Sequence, residues 1–352
     1  MRRKILLGLT VVLLVAGAAF WWWSRPLPVL TVTTWAGVYG RAQAASQMQP
    51  FGVANSVNVR IAQWSGDLDE IRRAVKTSQY TSDVYDLELP AAITACGEGL
   101  LEPLDTAALP PGADGTVAAQ DFYKGMVGEC FVASAIYAQM IVCNGCDMPS
   151  DLGQLFAAVA QGQKLALQRG ARVNLEMALL ADGVAPSEVY ATLATPEGVV
   201  RAFARLDTIK ANIVWWDAVT EPVAMLKDGR ARFAAALTGQ VQETGGLTIL
   251  PQQFYEADVL AIPRGTPRKE MALDYVKFAT GSEPLAGMTR FAPFMPPRKS
   301  AMALVEALPP GPQRDFVLSQ KGMLEKSFAI DNDWWREHGD ALQARFRFWA
   351  MG

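Results

Sequence analysis

From residue 30 onward, short β-branched runs alternate with amphipathic helical segments, and this alternation restricts the fold more than any other feature. "LTVTTW" (30–35) reads as a strand and "GRAQAASQMQPFGVA" (40–54) as a helix. "SVNVRIAQW" (56–64), "DLDEIRRAVKTS" (67–78), "DVYDLELP" (83–90) and "AAITACGEGLLEPLD" (91–105) repeat the strand-then-helix order. Such an order predicts a mainly parallel sheet with helices on both faces. At 352 residues the chain is long enough for two lobes. The first strand ends on Trp35 and enters its helix through a turn holding Gly37, Tyr39 and Gly40. In α/β proteins a strand-to-helix turn of this kind is where ligands bind.

The N-terminus carries "MRRK" followed by the apolar run "ILLGLTVVLLVAGAAFWWW" (5–23), the pattern of an export signal. The run is about the ~20 residues that span a bilayer, and Trp21, Trp22 and Trp23 suit an interfacial belt. The expectation is an uncleaved inner-membrane anchor with "SRPLP" as a tether; cleavage near Ala18 or Ala19 is the alternative. Both place the body in the periplasm. A net charge of −3 without a basic cluster argues against nucleic acid as a partner.

In an oxidising compartment the four cysteines, Cys96, Cys130, Cys143 and Cys146, default to disulfides. "CNGC" (143–146) has the spacing of a thiol oxidoreductase, but Asp147, Met148 and Pro149 separate it from the next helix, which weakens a dipole-lowered thiol pKa. The only histidine, His338, lies far away in a charged helix, which argues against a zinc site or a histidine triad. No G-x-S-x-G or P-loop is present. The residues therefore predict neither an enzyme nor a cofactor. A surplus of aromatic residues near glycine turns and strand ends points to a binding cleft.

Several segments, in order, resemble the extracytoplasmic solute-binding proteins of ABC importers, in the spermidine/putrescine-binding group. They are "TVTTWAGVYGRAQ" (31–43), "YDLELPAAITACGEGLLEPLD" (85–105), "GARVNLEMALLADG" (170–183), "NIVWWDAVTEPVAMLKDGRARFAAALTG" (212–239), "VLAIPRGTPRKEMALDYVKFAT" (259–280) and "WWREHGDALQARFRFW" (334–349). The resemblance implies an α/β, two-lobed periplasmic-binding-protein fold (type II), each lobe a mainly parallel sheet flanked by helices. On that fold, residues 1–28 are the signal or anchor and tether. Residues 29–137 plus about 258–298 form lobe 1, and 138–257 plus about 299–352 form lobe 2. It also implies a permease and its ATPase as partners, closure by hinge motion, and a Cys96–Cys130 disulfide. A membrane-tethered sensor or scaffold on the same fold is the alternative, and a thiol oxidoreductase using Cys143 and Cys146 a more distant one.

The resemblance places Trp35, Tyr39 and Phe294 at aromatic positions around the solute and Asp258 at the carboxylate that meets an ammonium. Cation–π contact contributes about 0.5–2 kcal/mol per ring. Trp215 and Trp216 point to opposite faces of an extended segment, and Trp216 is expected in the cleft. Glu256 shares the face of Asp258. The departures also matter. Gly170 and Val173 stand where an acidic pair would hold the far amine of spermidine, with Arg169 and Arg172 nearby, and Ala91 and Ile93 offer no hydroxyl. A second buried ammonium without a carboxylate is costly. The expected solute is therefore a small amine or a zwitterion whose carboxylate meets Arg169 or Arg172.

Overall fold

A computed structural model describes residues 26–322 and 327–351. The expected anchor at residues 5–23 lies outside them. Among the described residues no helix is long and apolar enough to cross a membrane.

Ten strands form one mixed sheet: β1 (Val29–Thr34), β2 (Asn58–Gln63), β3 (Val84–Glu88), β4 (Phe131–Asn144), β5 (Leu165–Gln168), β6 (Ile213–Trp216), β7 (Phe233–Leu237), β8 (Leu247–Ile249), β9 (Phe254–Ala261) and β10 (Phe328–Ala329). The order is β2-β1-β3-β9-β4-β7-β5-β6, with β8 on β4 and β10 on β9. β1, β2 and β3 pair in parallel, as do β5, β6 and β7. Between these parallel halves run β4 and β9, antiparallel to each other and to their outer neighbours.

Fourteen residues of β4 reach roughly 45 Å, enough to serve both halves. Phe131 to Ile136 pack in a core with β1, β3 and the end of β9. From Ala138 onward the same strand packs in cores built on β5, β6 and β7. β9 makes the reverse passage, with Phe254 in the second core and Ala257 to Ala261 in the first. Tyr137 and Glu256, at the two crossing points, are register partners. The helices Ser282–Met288 and Lys299–Ala307 share a further, smaller core with Val317. The terminal helix Asn332–Met351 buries Trp335, Leu342 and Phe346 in the second core.

The segment expected as one helix over 40–54 is helical but interrupted. An α-helix (Gly37–Gln43) passes through a π-turn (Ala44–Met48) into a second α-helix (Gln49–Asn55). π-Turns of this kind recur at functional sites. This one follows directly on Gln43, which is buried beneath the cleft described below.

Cys96 and Cys130 form a disulfide, as the resemblance implies, and tie the helix Leu89–Gly97 to the start of β4. A second disulfide joins Cys143 and Cys146. Cys143 is fully buried at the end of β4, whereas a reactive thiol has to be partly exposed.

Candidate functional site: a carboxylate-floored cleft between the two halves

Where β3, β4 and β9 meet, a cleft of about 640 Å³ opens between the halves. One wall carries Trp35, Val38, Tyr39 and Arg41 from the end of β1 and the helix after it. The opposite wall carries Val219, Leu237, Gln240 and Glu243, from the loop after β6, the end of β7 and the helix Thr238–Thr244. Glu88, Tyr137 and Asp258 form the floor, and Phe294 closes one end.

The glycine turn sets the first wall. Gly37 has φ +81°, a left-handed conformation that glycine adopts without strain. Gly40 allows close approach: a Cβ there would sit 2.2 Å from the Trp35 carbonyl oxygen. Trp35 stands edge-on to Trp64, centroids 6.5 Å apart, and Trp64 stands edge-on to Tyr85. Tyr39 meets Phe294 edge-to-face at 5.0 Å. These are favourable aromatic geometries, and they hold the rings in place.

Beneath the rings lies a buried polar network. The Tyr39 hydroxyl lies 3.0 Å from Asp86 Oδ2 and 2.9 Å from Ser134 Oγ, and Ser134 Oγ lies 2.9 Å from the same carboxylate oxygen. The Gln43 amide also donates to Asp86 Oδ2, and Thr34 Oγ1 donates to Gln43 Oε1. Asp86 Oδ1 is buried and has no hydrogen-bond partner. Asp86 is fully enclosed, and burial pushes its carboxyl up to about 7 against the pull of these donors.

Asp258 pairs directly with Glu88 across β3 and β9, and Leu260 pairs with Asp86. Because side chains alternate, Asp86, Glu88, Glu256 and Asp258 all share one face of the sheet. Burial and then the neighbouring Asp86, Glu88 and Glu256 raise the Asp258 pKa well above the usual carboxylate value. Glu88 opens onto the cleft's water yet is largely surrounded by protein. That enclosure and Glu256 raise its pKa, against the pull of Arg172. The floor thus carries a surplus of acid in a low-dielectric place, which favours a bound cation.

The expected site residues divide into three groups. Trp35, Tyr39, Asp258 and Phe294 line one cleft. Glu256 and Arg172 lie behind its floor: they form a half-buried ion pair with each other, Glu256 also accepts from the Tyr137 hydroxyl at 3.0 Å, and Arg172 also bonds Asn332 Oδ1. Trp216 and Arg169 do not join the cleft. Trp216 is fully buried in the second half, among Val223, Leu226 and Ala234. Trp215 points to the other face, against Phe346 and Trp349. The alternation expected for the pair holds, but helices cover both faces of β6, so neither ring reaches the cleft. Arg169 is exposed, pairs with Asp217 at 3.3 Å and lies over Trp215.

Glu88, Tyr137, Asp86 and Arg41 are not among the residues that the sequence singles out. Glu88 had a signal, since it is a carboxylate at the last position of a strand, where open α/β sheets bind ligands. Tyr137 is hidden in an apolar run, and nothing local marks it.

The family profile described as bacterial extracellular solute-binding protein matches residues 46–313. A γ-aminobutyric acid-binding protein of Pseudomonas aeruginosa is 31% identical over 334 residues, covering 91% of this chain and 90% of that one. Among solved structures, the GABA receptor Atu4243 superposes with a TM-score of 0.77 at 26% identity, covering 91% of this chain and 97% of its own. The spermidine/putrescine-binding PotD of Streptococcus pneumoniae superposes with a TM-score of 0.70 over 92% of this chain and 99% of its own. At 14% identity that likeness shows the fold alone, so the narrower spermidine/putrescine grouping gains no support from it. The chain belongs to the bacterial extracellular solute-binding proteins, the components that bind small solutes outside the cytoplasm and work with an ABC permease and its ATPase.

Proposed function

We propose that the cleft binds a small ω-amino acid of the γ-aminobutyrate class as its zwitterion. The observation that carries this reading is Asp258 lying opposite Glu88 on a floor shared with Tyr137 and flanked by Trp35. The ammonium group sits there, with carboxylates below and aromatic faces beside it. On the wall, Arg41 lines the cleft, and among the described residues its guanidinium has no ion pair or hydrogen bond. It is the cation free to take the solute's carboxylate, since Arg172 is engaged by Glu256 and Arg169 by Asp217. The family membership and the 31% identical γ-aminobutyrate-binding relative support the same solute class. The two halves, dividing at Tyr137 on β4 and at Glu256 on β9, are proposed to close over the solute, and residues 5–23 to tether the protein to the inner membrane. Co-sedimentation with membranes tests the tether.

A long polyamine fits less well. Gly170 and Val173 supply no second carboxylate, and the nearby Arg172 would repel a distant ammonium. Calorimetric titration with 4-aminobutanoate, 5-aminopentanoate, putrescine and spermidine tests the reading. The amino acids are expected to bind at least about tenfold more tightly than spermidine, a margin of ~1.4 kcal/mol. Tighter binding of spermidine would overturn it.

A further inference from the structure

Asp86 is a fully buried acid that does not line the cleft, yet it lies diagonally across β3 and β9 from Asp258 on the same face. Ser134 Oγ links the two strands, 2.9 Å from Asp86 Oδ2 and 3.2 Å from the Asp258 carbonyl oxygen. Three donor groups crowd Oδ2, while Oδ1 is buried without a hydrogen bond of normal geometry, and the Trp35 indole acts on both Asp86 and Asp258. Leaving that oxygen unpartnered costs far more when the carboxylate is ionised than when the group is protonated and neutral.

We infer that Asp86 is a positioning residue which, in the empty cleft, shares one proton with Asp258, and that an arriving ammonium expels this proton to solvent. Solute capture is then coupled to proton release. The inference rests on the proposed binding of an amine at Asp258.

The surroundings agree. The groups facing Asp86 are Tyr39 from the helix after β1, Asp258 on β9 and Tyr275 on the helix Lys269–Ala279. Those facing Asp258 are Asp86 and Glu88 on β3, Glu256 beside it on β9, Tyr39, and Tyr137 on β4. Burial and the nearby acids raise the pKa of all three tyrosines, so they stay neutral. Arg172 is bound to Glu256. Two neighbouring acids in such a place cannot both ionise until a cation comes, and they titrate as a pair. A solute ammonium with an ordinary amine pKa keeps its own proton at neutral pH. The proton released is therefore the protein's.

The test is titration of the full-length chain with 4-aminobutanoate in buffers of different ionisation enthalpy near neutral pH. The wild type is expected to release a measurable fraction of a proton per solute bound, with affinity rising with pH by at most about tenfold per unit. Asp86→Asn is expected to release less proton per solute bound, with affinity flatter over the same range, because burial, Glu88 and Glu256 still act on Asp258. In the ligand-free protein, the infrared difference between wild type and Asp86→Asn, in which the buried Glu176 carboxyl common to both cancels, is expected to show a carboxylic-acid carbonyl band that fades as pH rises through neutrality. Circular dichroism of the variant establishes that it is folded. Buffer-independent heats in the wild type, or an unchanged proton count in the variant, would overturn the inference. If 4-aminobutanoate fails to bind, the proposed solute class falls, while the infrared band still decides whether the proton is there.

Discussion

Replacing Asp258 by asparagine should move affinity and stability in opposite directions. Asp258 is buried and faces Glu88 across the strand pair, with Asp86 and Glu256 on the same face. Two carboxylates about 6 Å apart repel by about 3 kcal/mol at an effective dielectric of ~20. Proton uptake relieves part of this at neutral pH, leaving on the order of 1–2 kcal/mol that the amide would recover. The sign follows from a raised pKa in the folded state. The penalty is absent in acid, where the group is protonated folded and unfolded, and it grows as pH rises past the unfolded value near ~4. Asp258→Asn is therefore expected to melt higher than wild type at pH ~8, with the gap closing in acid. For a bound ammonium the variant loses its buried charge partner, worth about 2–5 kcal/mol, or roughly 30-fold to several thousand-fold in affinity. Thermal melts across pH and calorimetric titration read both effects. A variant that binds amino acids as tightly as wild type and melts no higher in alkali would show that the acid floor is not the ammonium seat.

Three further outcomes follow from the packing. Glu176 is fully buried, accepts from the Trp335 indole and the Tyr190 hydroxyl, and has its carboxyl pushed up to about 7 by burial; Glu176→Gln should add on the order of 2–3 kcal/mol above neutral pH and nothing in acid, seen in denaturant melts. Opening the Cys96–Cys130 disulfide, separation 34, should cost about 4 kcal/mol by loop entropy, against about 1.6 kcal/mol for Cys143–Cys146, separation 3, as paired serine variants would show in the same melts. Gly40→Ala drives a methyl into the Trp35 carbonyl, so it should cost roughly 1–3 kcal/mol and weaken solute binding by displacing the Trp35 ring, read by melts and titration together.

What the sequence made legible follows the range of the interaction that decides each residue. The turn from Trp35 to Gly40 is local, so its glycines and rings are readable as a unit, and the structure puts them on a cleft wall. The opposite faces of Trp215 and Trp216 also follow from local geometry. Which face meets open space does not: Val223 and Leu226 on the next helix cover Trp216, and Phe346 and Trp349 from the far C-terminal helix cover Trp215. Arg169 and Arg172 were visible as cations beside a ligand region, but their partners, Asp217 and Glu256, are 48 and 84 residues away. Asp86 is the sharpest case. The first acid of "VYDLE" reads as a strand residue, and only the register of β3 on β9 sets it beside Asp258.

That register also sets the acidic floor beside the proposed hinge. Tyr137 and Glu256 pair at the point where β4 and β9 pass from one core to the other, and Asp258 is two residues further along β9. A rotation of one half about these strands leaves the floor of Glu88, Tyr137 and Asp258 almost fixed. It changes instead the separation of the walls, Trp35 and Arg41 on one side and Gln240 and Glu243 on the other. On the proposed reading, the amine end of a solute is judged by groups in place before any closure. The other end would then be judged by groups whose distance depends on the proposed closure, and solute length by the angle at which the walls meet.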